Sequence, residues 1–387
     1  MTRQHIRLKE FDHNINKIHV PSESYLTGAP QLDKNKAYYM CTDDNGFIST
    51  GNYFKSDLTI AVVGDSFVEN IFVDELDRFE SILERRFLKE GKRLKVLNAG
   101  VSGMTGLSAC NLILNKIVRI KPDILIFVQP SIDFSTLLFK DGYFNDSKLF
   151  SNLVPPRETQ IPIYETIFQN VHQIYNNIAL ISRICELNKI NLIISTCASN
   201  SSKRQLSMMN SIVRDNADNF GYSLLDLDKI LEKSDKYFYD KQHLNADGAE
   251  QLSKILYEYL LDNSKFIFST HDGFKFKETS VNLSLSNKTK IELFSNKDKR
   301  VESWLYIVSE PNKNDSSNGI FKIDISFTSA DGQEYIKTID AIGNKILKQS
   351  INLGNLKAGV YSVGLKMQSD LPITVNDCKL FTIIDNL

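Results

Sequence analysis

Apolar positions along the chain fall into two regimes. Between residues 58 and 264, short unbroken apolar runs at 59–63, 94–98, 124–129, 191–196 and 223–226 alternate with segments whose apolar residues recur at helical spacing. A strand buried on both faces reads as a continuous apolar run, and its alternation with helices predicts a parallel sheet covered on both sides. The clearest helix precedes the fourth run, with Ile167, Val171, Ile174, Ile178, Ile181 and Ile184 in register. A helix is also expected after the first run, with Phe67, Ile71, Leu76, Phe79, Ile82, Leu83 and Phe87 on its inner face. Beyond residue 264, short alternating runs at 280–285, 288–294, 303–308, 321–327, 334–339 and 360–367 are separated by turn clusters. That spacing predicts an antiparallel β-sandwich. Residues 1–57 are a polar lead-in, in which 37–42 and the turn Asp44-Asn45-Gly46 predict a hairpin packing its aromatics on the α/β domain. The expected organisation is therefore a lead-in (1–57), an α/β domain (58–264) and an accessory β-sandwich (265–387).

The first apolar run stops at Gly64-Asp65-Ser66, which delivers a serine to the carboxyl end of a strand. Open α/β sheets bind ligands there, and a helix beginning at the serine favours negative charge beside it. Alone, Gly-Asp-Ser is an ordinary turn and helix cap. A second stretch, Asp240-Lys241-Gln242-His243-Leu244-Asn245, changes that reading. An Asp three residues before a His can share one side of a tight turn, fix the imidazole tautomer and leave the other ring nitrogen for a serine.

With the block Asn98-Ala99-Gly100-Val101-Ser102-Gly103 between them, these motifs resemble the SGNH (GDSL) hydrolase family. The resemblance spans about residues 58–264 and implies a flavodoxin-like three-layer α/β/α fold. Its members are serine esterases, lipases, carbohydrate O-acetylesterases and some O-acetyltransferases. It further implies Ser66 as nucleophile, His243 as general base, Asp240 as its orienting acid, and the Ser66 and Gly103 amides as oxyanion donors. The family's Gly-x-Asn-Asp block is altered: the run here is Gln129-Pro130-Ser131-Ile132-Asp133, with Ile132 where the donor Asn belongs. An aliphatic side chain donates no hydrogen bond. Gln129 and Ser131 are the neighbouring candidates for a third donor.

Composition narrows the function further. A formal net charge of -1 argues against a broad nucleic-acid-binding face, and the 42% apolar content is that of ordinary packed cores. No apolar run is long enough to span a bilayer, and the N-terminal residues lack the apolar core of a signal peptide, so a cytoplasmic enzyme is expected. Five scattered cysteines, Cys41, Cys110, Cys185, Cys197 and Cys378, fit reduced thiols. Trp304, the only tryptophan, reads either as a sandwich core residue or as a sugar-stacking platform. The long segment 134–162 reads as a substrate wall or as plain surface. The favoured reading is a carbohydrate O-acetylesterase acting through acyl-Ser66, with no metal or redox cofactor and a glycan or other small ester as its ligand. The alternatives are an O-acetyltransferase taking acetyl-CoA as co-substrate to modify a bacterial surface polysaccharide, and a degenerate glycan-binding module.

Overall fold

All five expected runs form strands of one parallel sheet: β1 (Leu58–Gly64), β2 (Leu94–Gly100), β3 (Ile124–Val128), β4 (Asn191–Ser195) and β5 (Ser223–Leu225). They are seen in a computed structural model that describes residues 4–148, 150–156, 162–163, 166–201, 204–263, 275–283, 288–293, 299–311, 319–342, 345–354, 356–357, 359–367 and 373–386. The spatial order is β2-β1-β3-β4-β5. Helices α1 (Ser66–Glu69), α2 (Phe79–Lys89), α3 (Gly106–Leu112), α4 (His172–Asn188) and α5 (Arg204–Asp215) lie in the crossovers, and α6 (Ala246–Asp262) follows β5. Because strand side chains alternate between faces, Ala61, Val63, Leu125 and Phe127 enter one core with α3, α4 and α5. Ile60, Val62, Ile124 and Ile126 enter a second core with α2 and α6. The result is a three-layer α/β/α domain whose strand order reverses between β1 and β3, opening a crevice at their carboxyl ends.

The single helix expected after β1 is broken. α1 ends after four residues at Asn70, which takes a left-handed conformation (φ 46°), and a 3-10 turn at Glu75–Asp77 precedes α2. Asn tolerates that conformation better than most residues. Phe67, Leu76, Phe79, Leu83 and Phe87 are buried nonetheless, so apolar spacing survived while the backbone turned.

The C-terminal strands are β6 (Lys275–Ser280), β7 (Thr289–Leu293), β8 (Lys299–Pro311), β9 (Ile320–Ser329), β10 (Glu334–Ile342), β11 (Leu347–Asn352), β12 (Gly359–Met367) and β13 (Ile373–Asn386). They form two antiparallel sheets, β6-β13-β8-β11 and β7-β12-β9-β10. Leu305, Ile307 and Ile351 of the first meet Ile323, Ile325, Phe327 and Val363 of the second in one core, which makes a β-sandwich. Of the run expected at 280–285, Ser280 ends β6, 281–283 are irregular with Leu283 buried, and 284–285 fall outside the described residues. β6, β11 and β13 were not anticipated. The expected boundary at 264–265 also lies outside the described residues.

The lead-in differs from a simple hairpin. Tyr38–Cys41 pairs antiparallel with Asn16–His19, and the turn at Gly46 closes through a single Thr42–Ile48 bridge. Ile48 is diverted because its N–H donates to Asn98 O (2.9 Å), which covers the free edge of β2. Tyr39 joins the sandwich core, so the lead-in packs on both domains.

Trp304 is fully buried, stacked on Phe381 (centroids 5.3 Å apart) and near Phe276 and Phe54, and it clusters with Leu76 and Leu88 of the α/β domain. It is a domain-junction anchor, with no face left for a sugar. Arg93 and Glu302 pair across the same junction at 2.7 Å, and buried Glu75 accepts from Ser350 N at 2.9 Å. The five cysteines are free. Among the described residues, no helix is long and apolar enough to cross a membrane.

Candidate active site

Ser66 opens α1 at the β1/β3 crevice, and the preceding Asp65 fixes where it sits. Asp65 is almost fully buried and caps α1, one carboxylate oxygen accepting from Phe67 N (3.0 Å). Its other oxygen accepts from Ser131 N and Ser131 Oγ, both at 2.8 Å. The motif thus ties the loop after β1 to the loop after β3 through one carboxylate. Asn98, also buried, donates to Val68 O (2.9 Å) and Glu80 (2.6 Å), binding α1 to β2. A side chain on Gly100 would begin 2.3 Å from Glu69 N, so only glycine lets α1 lie this close.

The turn before α6 brings the acid and base to the serine. His243 Nε2 lies 2.7 Å from Ser66 Oγ, and His243 Nδ1 lies 2.7 Å from Asp240 Oδ2. Asp240 Oδ1 accepts from the backbone N–H of Gln242 and of His243, each at 2.7 Å. A carboxylate only accepts, so Nδ1 carries the proton and Nε2 is left to receive one from Ser66. Burial pushes the Asp240 carboxyl up, but the hydrogen bond and charge of His243 and the two backbone amides outweigh it, holding it below the usual range. Tyr239 stacks on the imidazole, with centroids 5.4 Å apart and planes 15° from parallel. Its hydroxyl meets that of Tyr25 at 3.5 Å, so the aromatic lead-in reaches the rim of the site.

Gly103 sits in a turn closed by Met104 N donating to Val101 O (2.9 Å), with φ 70°. That left-handed value suits glycine and frees a backbone N–H for a ligand. The Ser102 hydroxyl donates to Glu69, whose carboxyl is raised by burial while Ser102 and the charge of His243 pull it down. Lys9 Nζ donates to Ser102 O at 3.1 Å.

Both candidates for the third oxyanion donor are engaged elsewhere. Gln129 is buried and gives one N–H of its amide to Asp133 Oδ2 (2.6 Å), while the Ser131 hydroxyl donates to Asp65. Asp133 demands those donors because it is fully buried: it also takes Tyr143 OH (2.6 Å) and Gly106 N (2.9 Å), and burial still pushes its carboxyl up to about 7. Ile132 supplies only a backbone N–H, 3.4 Å from Asp65.

Sequence reasoning missed Lys9, Glu69 and Tyr239 at this site. Tyr239 adjoins the Asp240 motif and was within reach of inspection; Lys9 lies 93 residues from its partner and carried no local signal. Segment 134–162 does reach the lead-in, since Leu153–Val154 pairs antiparallel with His5–Ile6, although 157–161 lie outside the described residues. Among the described residues, no group of three or more His, Cys, Asp or Glu could hold a metal ion.

No protein-family profile matches the chain, and no curated protein matches it in sequence. Solved structures similar to it include a lipase/acylhydrolase from Enterococcus faecalis (16% identity, TM-score 0.39, covering 52% of this chain and 95% of that one). An acetyl xylan esterase has 12% identity and a TM-score of 0.41, covering 52% of this chain and 100% of its own. A GDSL-like lipase from Bacteroides thetaiotaomicron has 12% identity and a TM-score of 0.36, covering 53% and 88%. At these levels the functional reading is carried by the side chains of Ser66, His243 and Asp240.

Proposed function

We propose that this protein transfers acyl groups from esters through Ser66, and that it is an O-acetylesterase acting on carbohydrate. The observation that carries the proposal is the unbroken chain Ser66 Oγ–His243 Nε2–His243 Nδ1–Asp240 Oδ2, with both contacts at 2.7 Å. Such an array does little for stability on a crevice wall but is what an activated hydroxyl nucleophile requires.

His243 Nε2 takes the Ser66 proton as Oγ attacks the ester carbonyl carbon. The carbonyl π pair moves to oxygen, and the Ser66 and Gly103 amides hold the resulting oxyanion. Collapse expels the alcohol, which receives the proton from His243, and leaves acyl-Ser66. Water, deprotonated by His243, then attacks the acyl carbon and releases the acid and free Ser66. Asp240 stabilises the imidazolium in both halves.

The test is hydrolysis of p-nitrophenyl acetate and of acetylated oligosaccharides by the full chain and by Ser66→Ala, with acetyl-CoA plus neutral and acidic glycans run in parallel. Ser66-dependent acetate release without a glycan requirement is expected. Acetylation of a glycan from acetyl-CoA would replace water by a sugar hydroxyl in the second half and make the protein a transferase. Glycan binding without turnover would overturn the enzymatic reading.

A further inference from the structure

An acyl-transfer site of this geometry has an electrostatic gap. The side chain at 132 is aliphatic, Gln129 is buried and turned to Asp133, and the Ser131 hydroxyl donates to Asp65. Removing one oxyanion donor typically costs about a hundredfold to a thousandfold in rate, so a site that retains its triad needs another source of positive potential.

The structure provides a cation from outside the α/β domain. The N-terminal segment is pinned along its length: His5–Ile6 pairs with Leu153–Val154, Arg7 N donates to Asn152 O (2.8 Å), and Glu10 pairs with Lys116 (2.9 Å). Asn152 is itself held by Ser108 Oγ (2.6 Å) and by Tyr143 O (3.0 Å). Between these anchors Lys9 reaches the turn that carries the Gly103 amide. Its Nζ donates to Ser102 O, and a side chain on Gly103 would begin 3.3 Å from Nζ.

We propose that Lys9 acts on the oxyanion through the Gly103 amide: its ammonium on the Ser102 carbonyl polarises the one peptide whose N–H, pointing the opposite way, is the Gly103 donor, and so offsets the donor that Ile132 lacks. The inference rests on the acyl-transfer reading above. The charged groups facing Lys9 are Arg7 on its own segment and Glu69 from α1, and Glu69 lies in turn within the field of His243 and Asp65. Half-burial and the charge of Arg7 weaken the hold of Lys9 on its proton, and the Glu69 carboxylate only partly restores it. Partial desolvation strengthens the field of the ammonium on that peptide and hence the acidity of its N–H.

The experiment compares the full chain with Ser66→Ala, Lys9→Met and Lys9→Arg on p-nitrophenyl acetate, a neutral ester that gives Lys9 no anionic group to bind. K9M should lower kcat by about tenfold to a hundredfold with KM within about twofold, whereas K9R should recover most of kcat. In the wild type kcat should fall at alkaline pH as Lys9 loses its proton, and K9R should move that fall upward, a shift that a lysine merely tethering the turn would not produce, since a neutral amine still donates to the carbonyl. Should K9M fail to fold, the K9R profile alone decides. Ser66-dependent turnover with K9M within about twofold of wild type, or an alkaline limb unmoved in K9R, overturns the assignment of Lys9 and leaves acyl transfer standing. Turnover that S66A does not abolish overturns both.

Discussion

Asp65→Asn isolates how the nucleophile is positioned. One oxygen of Asp65 caps α1 through Phe67 N at 3.0 Å, and the other receives Ser131 N and Ser131 Oγ at 2.8 Å. Asparagine keeps one acceptor and turns the other into a donor. If its oxygen stays on Phe67, its NH2 faces the Ser131 N–H. The Ser131 hydroxyl can rotate to accept, but the buried amide cannot, and it is orphaned. A hydrogen bond to a charged group contributes about 1.5–3 kcal/mol, and an unsatisfied buried donor costs about 1–3 kcal/mol. Relief from burying a charge in this almost solvent-free pocket offsets part of that. The expected loss is about 2–4 kcal/mol of unfolding free energy, read as a lower urea midpoint with an unchanged slope. Because the same carboxylate sets the first turn of α1, kcat should fall by at least about tenfold as Ser66 Oγ drifts from His243 Nε2. A midpoint within about 0.5 kcal/mol of wild type together with an unaltered kcat would show that Asp65 does not hold the two loops together.

Two further outcomes follow from buried groups remote from the nucleophile. Trp304→Ala removes a fully buried ring stacked between domains and should cost about 3–5 kcal/mol, measured by circular dichroism during urea unfolding; a loss under about 1 kcal/mol would contradict its role as a junction anchor. Glu80 is fully buried, and burial pushes its carboxyl up to about 7 despite Arg78 and Asn98. Its folded form therefore holds a proton that the unfolded chain releases, so this group's contribution is fully present below the unfolded value near 4.5 and is lost as pH rises to about 7. The span corresponds to about 3 kcal/mol, and Glu80→Gln should flatten the decline in stability across that window, whereas parallel wild-type and variant curves would refute it.

The sheet was legible because parallel strands buried on both faces must be apolar throughout, and five such runs leave little latitude. The meeting of Ser66, His243 and Asp240 was legible because each half is local: Ser66 follows its strand directly, and Asp240 and His243 share one turn. What escaped was set by long-range contact. The break at Asn70 lay hidden because Phe67, Leu76 and Phe79 are buried whether or not one helix carries them. The alternation along β8 puts Trp304 on one face but says nothing of what covers it; Leu76 and Leu88 come from more than 200 positions upstream. Gln129 and Ser131 looked available as donors because their acceptors, Asp133 and Asp65, become demanding only once buried. β11 and β13 escaped because polar residues such as Lys348, Gln349, Asn376 and Asp377 interrupt their apolar alternation.

The lead-in links these observations. A sheet with β2 at its edge presents unpaired backbone groups, and Ile48 takes one of them through Asn98 O. The same segment sends Tyr39 into the sandwich core and Tyr25 toward Tyr239 over the catalytic imidazole. At its start it carries Lys9 to the Ser102–Gly103 turn. Asn98 is the shared node: its carbonyl receives the lead-in while its side chain holds α1, the helix that begins at Ser66. A disturbance of the lead-in therefore reaches the nucleophile by two routes, through the charge beside Gly103 and through the backbone that seats α1. On this geometry the described part of the lead-in borders the proposed active site as well as the scaffold.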